Sequence, residues 1–190
     1  MKINKLIVGV GFSVLATGFL SPASTLATMS GIKQQSSSDR VLLAQATNQA
    51  ALIAENASLL ASNQALALKI LAKVGGKAPA LAPVPANAAP LVANQIRILN
   101  NRLIFSAIAT AVKATVGTIP PKSTSTDVAV QNASLLLGNR VIVRAIATKL
   151  GVTLPTPVTP VGSGPQQVNT LLKGNQAALL LIAAKVGVTP

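Results

Sequence analysis

The sequence has no cysteine, histidine, tryptophan or tyrosine, and it has only three acidic residues against sixteen lysines and arginines. Without cysteine no disulfide can form, so stability must come from burial of the hydrophobic residues, which make up 50% of the chain. General acid–base catalysis needs a group that titrates near the working pH, and metal sites need histidine, cysteine or clustered carboxylates. The composition therefore argues against an enzyme. It predicts no catalytic, metal-binding or cofactor-binding residue and no small-molecule substrate.

Aromatic residues are almost absent, since Phe105 is the only one beyond residue 20. Single-stranded nucleic acids are bound by stacking on aromatic side chains, and the chain carries no recognised nucleic-acid-binding motif, so no sequence-specific nucleic-acid partner is expected. The net charge of +13 instead attracts polyanions such as lipopolysaccharide, other anionic lipids or wall polymers. The arginines that form short basic patches are the candidate polyanion contacts: Arg97, Arg102, Arg140 and Arg144.

The first residues have the layout of a secretory signal peptide. Lys2 and Lys5 precede an apolar stretch at residues 6–20, and small residues suited to cleavage end at Ala23 and Ala27. The stretch is shorter than the ~20 apolar residues that a transmembrane helix requires, although an uncleaved anchor is the alternative. We therefore expect residues 1–27 to be a signal peptide. The protein would then be exported to the periplasm, the cell surface or the medium.

One segment occurs four times after this leader. The copies read NQALALKILAKVGG, NRLIFSAIATAVKATVG, NRVIVRAIATKLGV and NQAALLLIAAKVGV, and their starts lie 36 to 38 residues apart, at Asn63, Asn101, Asn139 and Asn175. A fixed period in this range is typical of helical repeat arrays. Glycine closes each copy and proline-rich segments separate the copies, which stops each helix. The sequence therefore predicts an all-α fold of four tandem amphipathic helical repeats of ~38 residues, joined by Pro-rich linkers and packing as a helical bundle or array.

Capping and stop signals divide the chain into helices and linkers. Ser38 and Asp39 are suited to cap the first helix, and Thr126 and Asp127 the third. Proline at short intervals in the linkers argues against paired strands and favours an extended coil. After the leader we predict a polar segment at 28–38, repeat helices at 39–76, 91–117, 128–151 and 166–190, and linkers at 77–90, 118–127 and 152–165.

Alignment of the four copies places asparagine within an apolar stripe. Isoleucine stands seven residues after the repeated asparagine in every copy, and three copies carry a second asparagine seven residues before it. Residues at these intervals share one face of a helix, so we interpret the asparagines as polar contacts that fix the register between packed helices. The alternative is that they lie at the solvated edge of a wider stripe. The predicted seam residues are Asn56, Asn63, Ile70, Asn94, Asn101, Ile108, Asn132, Asn139, Ile146, Asn175 and Ile182.

Two packing arrangements follow from this stripe. A single helix of ~20 residues is marginally stable alone, so the units must pack. The linkers permit an antiparallel four-helix bundle within the chain, and the apolar faces also permit packing against other chains. If Asn139 fixes the register, Asn139→Leu should raise the melting temperature and broaden the distribution of oligomers. Lys73, Lys149 and Lys185 lie in the last helical turns, where they oppose the negative ends of the helix dipoles.

These observations favour a non-enzymatic, exported helical repeat protein. Its expected role is structural, by self-association along the asparagine seams at the bacterial cell envelope or surface, as a homo-oligomer. One alternative is a basic amphipathic protein that binds anionic membranes or polyanions. Another is a periplasmic helical adaptor or chaperone.

Overall fold

Four helices make up the described part of the protein. The computed structural model describes residues 22–157, 159–160 and 162–190, which contain no strand. The helices are α1 (Pro22–Lys73), α2 (Pro90–Ala111), α3 (Val128–Lys149) and α4 (Gly164–Val186), so the predicted all-α fold of four packed helices is confirmed. None of these described helices has both the length and the apolar character that a membrane crossing requires. Most of the predicted signal peptide, residues 1–27, lies outside the described residues, which begin at residue 22.

The first helix begins much earlier than predicted. α1 starts at Pro22 and passes through Ser38 and Asp39 without interruption, so the predicted helix start at this pair is wrong. The next proline after Pro22 is at position 79, so every residue in between has a backbone N–H that can donate to a helical hydrogen bond. The part of α1 up to Ala44 belongs to one compact unit, and Gln45–Pro190 form the other, which contains the repeats.

All four helices end in the same way. A residue with positive φ follows each helix, and the next backbone N–H donates to the carbonyl five residues before it, as in a Schellman motif. In α2 this residue is Lys113, at φ 56°, and α2 therefore ends before the predicted Gly117. The alignment contains the signal for this ending, because one position of the repeat provides all four residues: Gly75, Lys113, Gly151 and Gly187.

Hydrogen bonds between neighbouring helices show that the helices are parallel. The Asn94 side chain of α2 donates to the carbonyl of Ile53 in α1 at 3.1 Å, and Asn101 donates to Leu60 at 3.1 Å. Donor and acceptor both advance by seven residues, which only parallel helices allow. The same contacts recur from α3 to α2, as Asn132 to Leu91 at 3.0 Å and Asn139 to Ile98 at 3.1 Å, and from α4 to α3, as Asn175 to Leu136 at 3.4 Å.

The fourth helix packs back onto the first. The Asn56 side chain of α1 donates to the carbonyl of Pro165 in α4 at 3.0 Å, and the Asn169 side chain of α4 donates to Asn56 Oδ1 at 2.9 Å. On the surface, Lys173 Nζ lies 2.8 Å from Glu55 Oε1. Since α1 therefore contacts both α2 and α4, the four repeats form a closed ring within one chain.

The linkers are long because parallel neighbours require the chain to return to its starting level. A helix of 22 residues, such as α2, is about 33 Å long at a rise of 1.5 Å per residue. An antiparallel neighbour needs a connection of only ~2–8 residues. Residues 112–127, which connect α2 to α3, span up to about 50 Å in an extended, polyproline-like conformation. The antiparallel bundle that the sequence permitted is therefore wrong. The helices are parallel, and each proline-rich linker leads the chain from the C-terminal end of one helix back to the N-terminal end of the next.

The core consists of layers to which each helix contributes the same position of the repeat. One layer contains the isoleucines seven residues after the repeated asparagines, and all four are 0% exposed. A second layer, about one turn away, mixes small and large side chains. A third lies three residues before the asparagines. In order from α1 to α4, the layers are Ile70, Ile108, Ile146 and Ile182, then Ala67, Phe105, Val143 and Leu179, then Leu60, Ile98, Leu136 and Leu172.

Candidate functional site

The asparagines of the predicted seam lie in the interior of the ring. Each of the seven is at most 3% exposed, and the four seam isoleucines are completely buried. The structure therefore brings all the predicted seam residues together inside one chain, and it places none of them at a solvated edge. The buried seam residues are Asn56, Asn63, Ile70, Asn94, Asn101, Ile108, Asn132, Asn139, Ile146, Asn175 and Ile182.

The seam asparagines contact backbone carbonyls more than one another. A helical carbonyl already accepts one bond from its own helix, and its second lone pair accepts the amide of the neighbouring asparagine. Such a bond fixes the register because the donor must face one particular carbonyl. Among the described residues, Oδ1 of Asn101 and Asn132, whose amides make this bond, is buried without a hydrogen-bond partner, and so is Oδ1 of Asn63. Each of these oxygens costs about 1–3 kcal/mol of stability.

Arg102, predicted to contact polyanions, lies in the contact between α2 and α3. Its Nε donates to Asn139 Oδ1 at 2.8 Å and its Nη2 to the carbonyl of Leu135 at 2.6 Å. Burial of the guanidinium lowers the pKa of Arg102. Gly138 makes room for this contact, because a Cβ at position 138 would collide with the guanidinium and with Ile119 of the linker. Arg102 therefore joins two helices and is not a free surface cation.

Asn100 has a structural role that the repeat pattern does not predict. Its Oδ1 accepts from the backbone N–H of Ala82 and its Nδ2 donates to the Ala82 carbonyl, both at 2.9 Å. The side chain thereby holds the linker between α1 and α2 against α2, in place of a backbone partner. The signal was the doubled asparagine at positions 100 and 101, since no other copy has asparagine directly before the repeated one.

The other three candidate arginines lie apart from one another in two groups. Arg97 is half-buried at a cavity between α1, the first linker and α2. Arg140 and Arg144 line a smaller cavity between α3, the third linker and α4, of about 90 Å³. Burial, followed by the positive charge of Arg144, lowers the pKa of Arg140. The four predicted polyanion contacts therefore do not form one surface.

A larger basic surface lies at the C-terminal ends of the four parallel helices. Lysine occupies the last turn of α1, α3 and α4, and Lys113 follows the end of α2. Lys69 donates to the carbonyl of Thr189 after α4 at 3.2 Å, and Lys73 lies beside Gly187, which places α1 and α4 together at this end. We call this surface the lysine end, and its six exposed members are Lys69, Lys73, Lys77, Lys113, Lys149 and Lys185.

Acidic side chains lie away from the lysine end. Asp127 caps the start of α3, as predicted, because its Oδ1 accepts from the N–H of Ala129 at 2.7 Å. Glu55 lies in the first half of the ring region of α1, where hydrogen bonds from Lys173 and then Asn169 hold the pKa of its carboxyl below the ordinary value. Asp39 lies still earlier in α1. Within the unit Gln45–Pro190, neither acidic residue, Glu55 or Asp127, therefore belongs to the lysine end.

The described residues contain no cluster of three or more histidine, cysteine, aspartate or glutamate side chains that could hold a metal ion. Comparison with known protein families, with curated proteins and with solved structures finds no match to this chain. Two surfaces of the chain offer a ligand chemistry: the lysine end and the cavity at Arg97.

Proposed function

We propose that this is a non-enzymatic, exported protein that binds a phosphate-rich anionic surface of the bacterial envelope through its lysine end. The observation that carries the proposal is the gathering of six exposed lysines at one end of the parallel ring, with no acidic side chain there. The basic and apolar leader at residues 2–20 supports export.

Helix dipoles explain only part of this charge. Four parallel helices bring four negative ends together, each equivalent to about half an elementary charge, or about −2 in total. The six lysines exceed this by about four positive charges. A surplus of this size on one face attracts anions and repels a second copy of the same face. The surplus therefore supports a partner that carries many negative charges.

An anionic lipid layer suits the lysine end better than a nucleic acid does. The end of a ring of parallel helices presents its cations side by side, as a plane of lipid phosphates requires. Each lysine near an anionic membrane surface contributes about 1 kcal/mol to binding. Nucleic-acid binding would gain from aromatic stacking, and the described residues offer only Phe105, which is buried.

The variant Lys73→Gln/Lys149→Gln/Lys185→Gln tests the proposal. The measurement is binding of the full chain to phosphatidylcholine vesicles with and without phosphatidylglycerol, at low and at high salt. The unaltered protein should bind only the anionic vesicles, and salt should weaken binding by screening. The triple variant should bind about hundredfold more weakly, because it loses three lysines that each contribute about 1 kcal/mol.

A charge-matched control separates the lysine end from net charge. The variant Arg40→Gln/Lys122→Gln/Lys173→Gln removes the same charge from residues outside the lysine end, and all three are exposed. It should retain most of the binding. Equal losses in the two triple variants, or binding to neutral vesicles, would contradict a specific role for the lysine end.

Self-association, the role expected first, is a second candidate that must use other surfaces. The ring occupies the seams within one chain, but Val41 and Leu42 of α1 are 58% and 63% exposed. Large apolar side chains that are exposed next to one another are typical of contact sites. Sedimentation velocity at high salt should detect an oligomer that Leu42→Glu dissociates and that Arg40→Glu leaves assembled. A monomer at high salt in the unaltered protein would exclude this candidate.

A further inference from the structure

The cavity at Arg97 has the size of a small-molecule site. It has a volume of about 510 Å³ and lies between residues 50–57 of α1, residues 84–88 of the first linker and residues 90–97 of α2. Ligand pockets in proteins are ordinarily mostly apolar and of about 300–1,000 Å³. Its walls are apolar and built largely from alanine, as with Ala50 and Ala54, together with Val84 and Pro85. These short side chains leave room that longer ones fill elsewhere.

Arg97 breaks the repeat at this cavity. The other three copies have leucine at the same position, four residues before the repeated asparagine. Leu135 and Leu171 are buried in the apolar cluster there, and Leu59 packs against it. α2 places a half-buried guanidinium instead, although leucine satisfies the packing in every other helix. Departures from an otherwise consistent pattern are expected at functional or strained sites.

The guanidinium of Arg97 is held by a buried neighbour. Its Nη1 donates to Asn94 Oδ1 at 3.3 Å, and Asn94, which is 1% exposed, is itself fixed by its bond to the Ile53 carbonyl at 3.1 Å. A guanidinium has five N–H donors, so this contact leaves donors for a ligand. None of the side chains that line the cavity is acidic. A guanidinium can pair with a carboxylate through two parallel hydrogen bonds.

We propose that this cavity binds an aliphatic carboxylic acid, with the carboxylate on Arg97 and the hydrocarbon chain along the alanine-rich walls. The apolar walls bind the chain by removing it from water, and Arg97 distinguishes the acid from uncharged molecules of the same length. The site lies in the first half of the ring, away from the lysine end, and it does not depend on the function proposed for that surface.

Calorimetric titration of the full chain with decanoate and with methyl decanoate tests the proposal. Decanoate should bind the unaltered protein, and the methyl ester should bind at least about tenfold more weakly because it lacks the charge. Arg97→Leu installs the residue that the other copies carry, so the fold is retained, and it should weaken decanoate binding by the same factor. Lys122→Leu removes one exposed charge elsewhere and should leave decanoate binding unchanged.

A second variant tests the cavity itself. Ala54 is exposed at the rim of the cavity, so a phenylalanine at this position can fill the cavity without disturbing the core. Ala54→Phe should therefore weaken the binding of both decanoate and methyl decanoate. Circular dichroism confirms that each variant remains helical. Absence of decanoate binding overturns the proposal. Equal binding of acid and ester, or decanoate binding that neither Arg97→Leu nor Ala54→Phe weakens, also overturns it.

Discussion

Phe105→Ala is expected to lower the free energy of unfolding by about 3–5 kcal/mol. Phe105 is 1% exposed and lies in a layer with one side chain from each helix, where Ala67 is the smallest member. Removing the ring leaves a cavity that the other members, Val143 and Leu179, cannot close without moving a helix. Because the four helices form a closed ring, such a movement would strain the asparagine contacts on both sides.

Denaturant unfolding measures this effect, and two further variants make it specific. Leu103→Ala removes a side chain from α2 that is 45% exposed, so its effect should be well below that of Phe105→Ala. Ala67→Leu in the Phe105→Ala background should restore part of the lost stability by refilling the same layer. If Leu103→Ala and Phe105→Ala were equally destabilising, the layered core described above would be wrong.

Asn139→Leu and Asn101→Leu are expected to change stability in different ways, although the two residues occupy the same position of the repeat. Asn139 Oδ1 accepts from the partly buried guanidinium of Arg102, and a bond to a charged group contributes about 1.5–3 kcal/mol. Asn139→Leu should therefore lower the free energy of unfolding by about 2–4 kcal/mol. Asn101 Oδ1 has no hydrogen-bond partner among the described residues, so Asn101→Leu should be neutral or slightly stabilising.

Thermal unfolding separates the two outcomes. The melting temperature of Asn139→Leu should fall by about 5–10 °C and that of Asn101→Leu should change by less than about 3 °C. The sequence alone predicted a higher melting temperature for Asn139→Leu, and the contact with Arg102 reverses that expectation. Combining Asn139→Leu with Arg102→Leu should recover part of the loss, because it removes a partly buried guanidinium that has lost one of its two acceptors. A lack of recovery would mean that Arg102 is not the cause.

The helices and the core were predictable because both follow from local periodicity. The recurrence of isoleucine seven residues after each asparagine placed Ile70 and its equivalents on one face, and burial of that face requires no knowledge of the neighbouring helix. Helix direction is a different matter, since an apolar stripe can pack in either direction. The linker lengths contained that information, because connections of about a dozen residues exceed what antiparallel neighbours need.

The candidate surfaces were less predictable than the core. Lys73, Lys149 and Lys185 read as separate helix endings in the sequence, and only the parallel arrangement brings them to one surface. Arg102 read as a surface cation, because its position next to the seam does not reveal whether Gly138 of the next helix makes room for it. Arg97 was visible as a departure from leucine, but the cavity beside it depends on the path of the linker.

The contact from Asn56 to Pro165 also limits how this repeat can be extended. An open solenoid gains a unit at its end without disturbing the others, whereas here the last unit already docks on the first. A ring of five copies would have a larger diameter and leave a cavity in the isoleucine layer. A ring of three copies would be too narrow for the same side chains. Duplication or loss of a copy is therefore constrained by geometry, and we expect the number four to be a fixed property of this architecture.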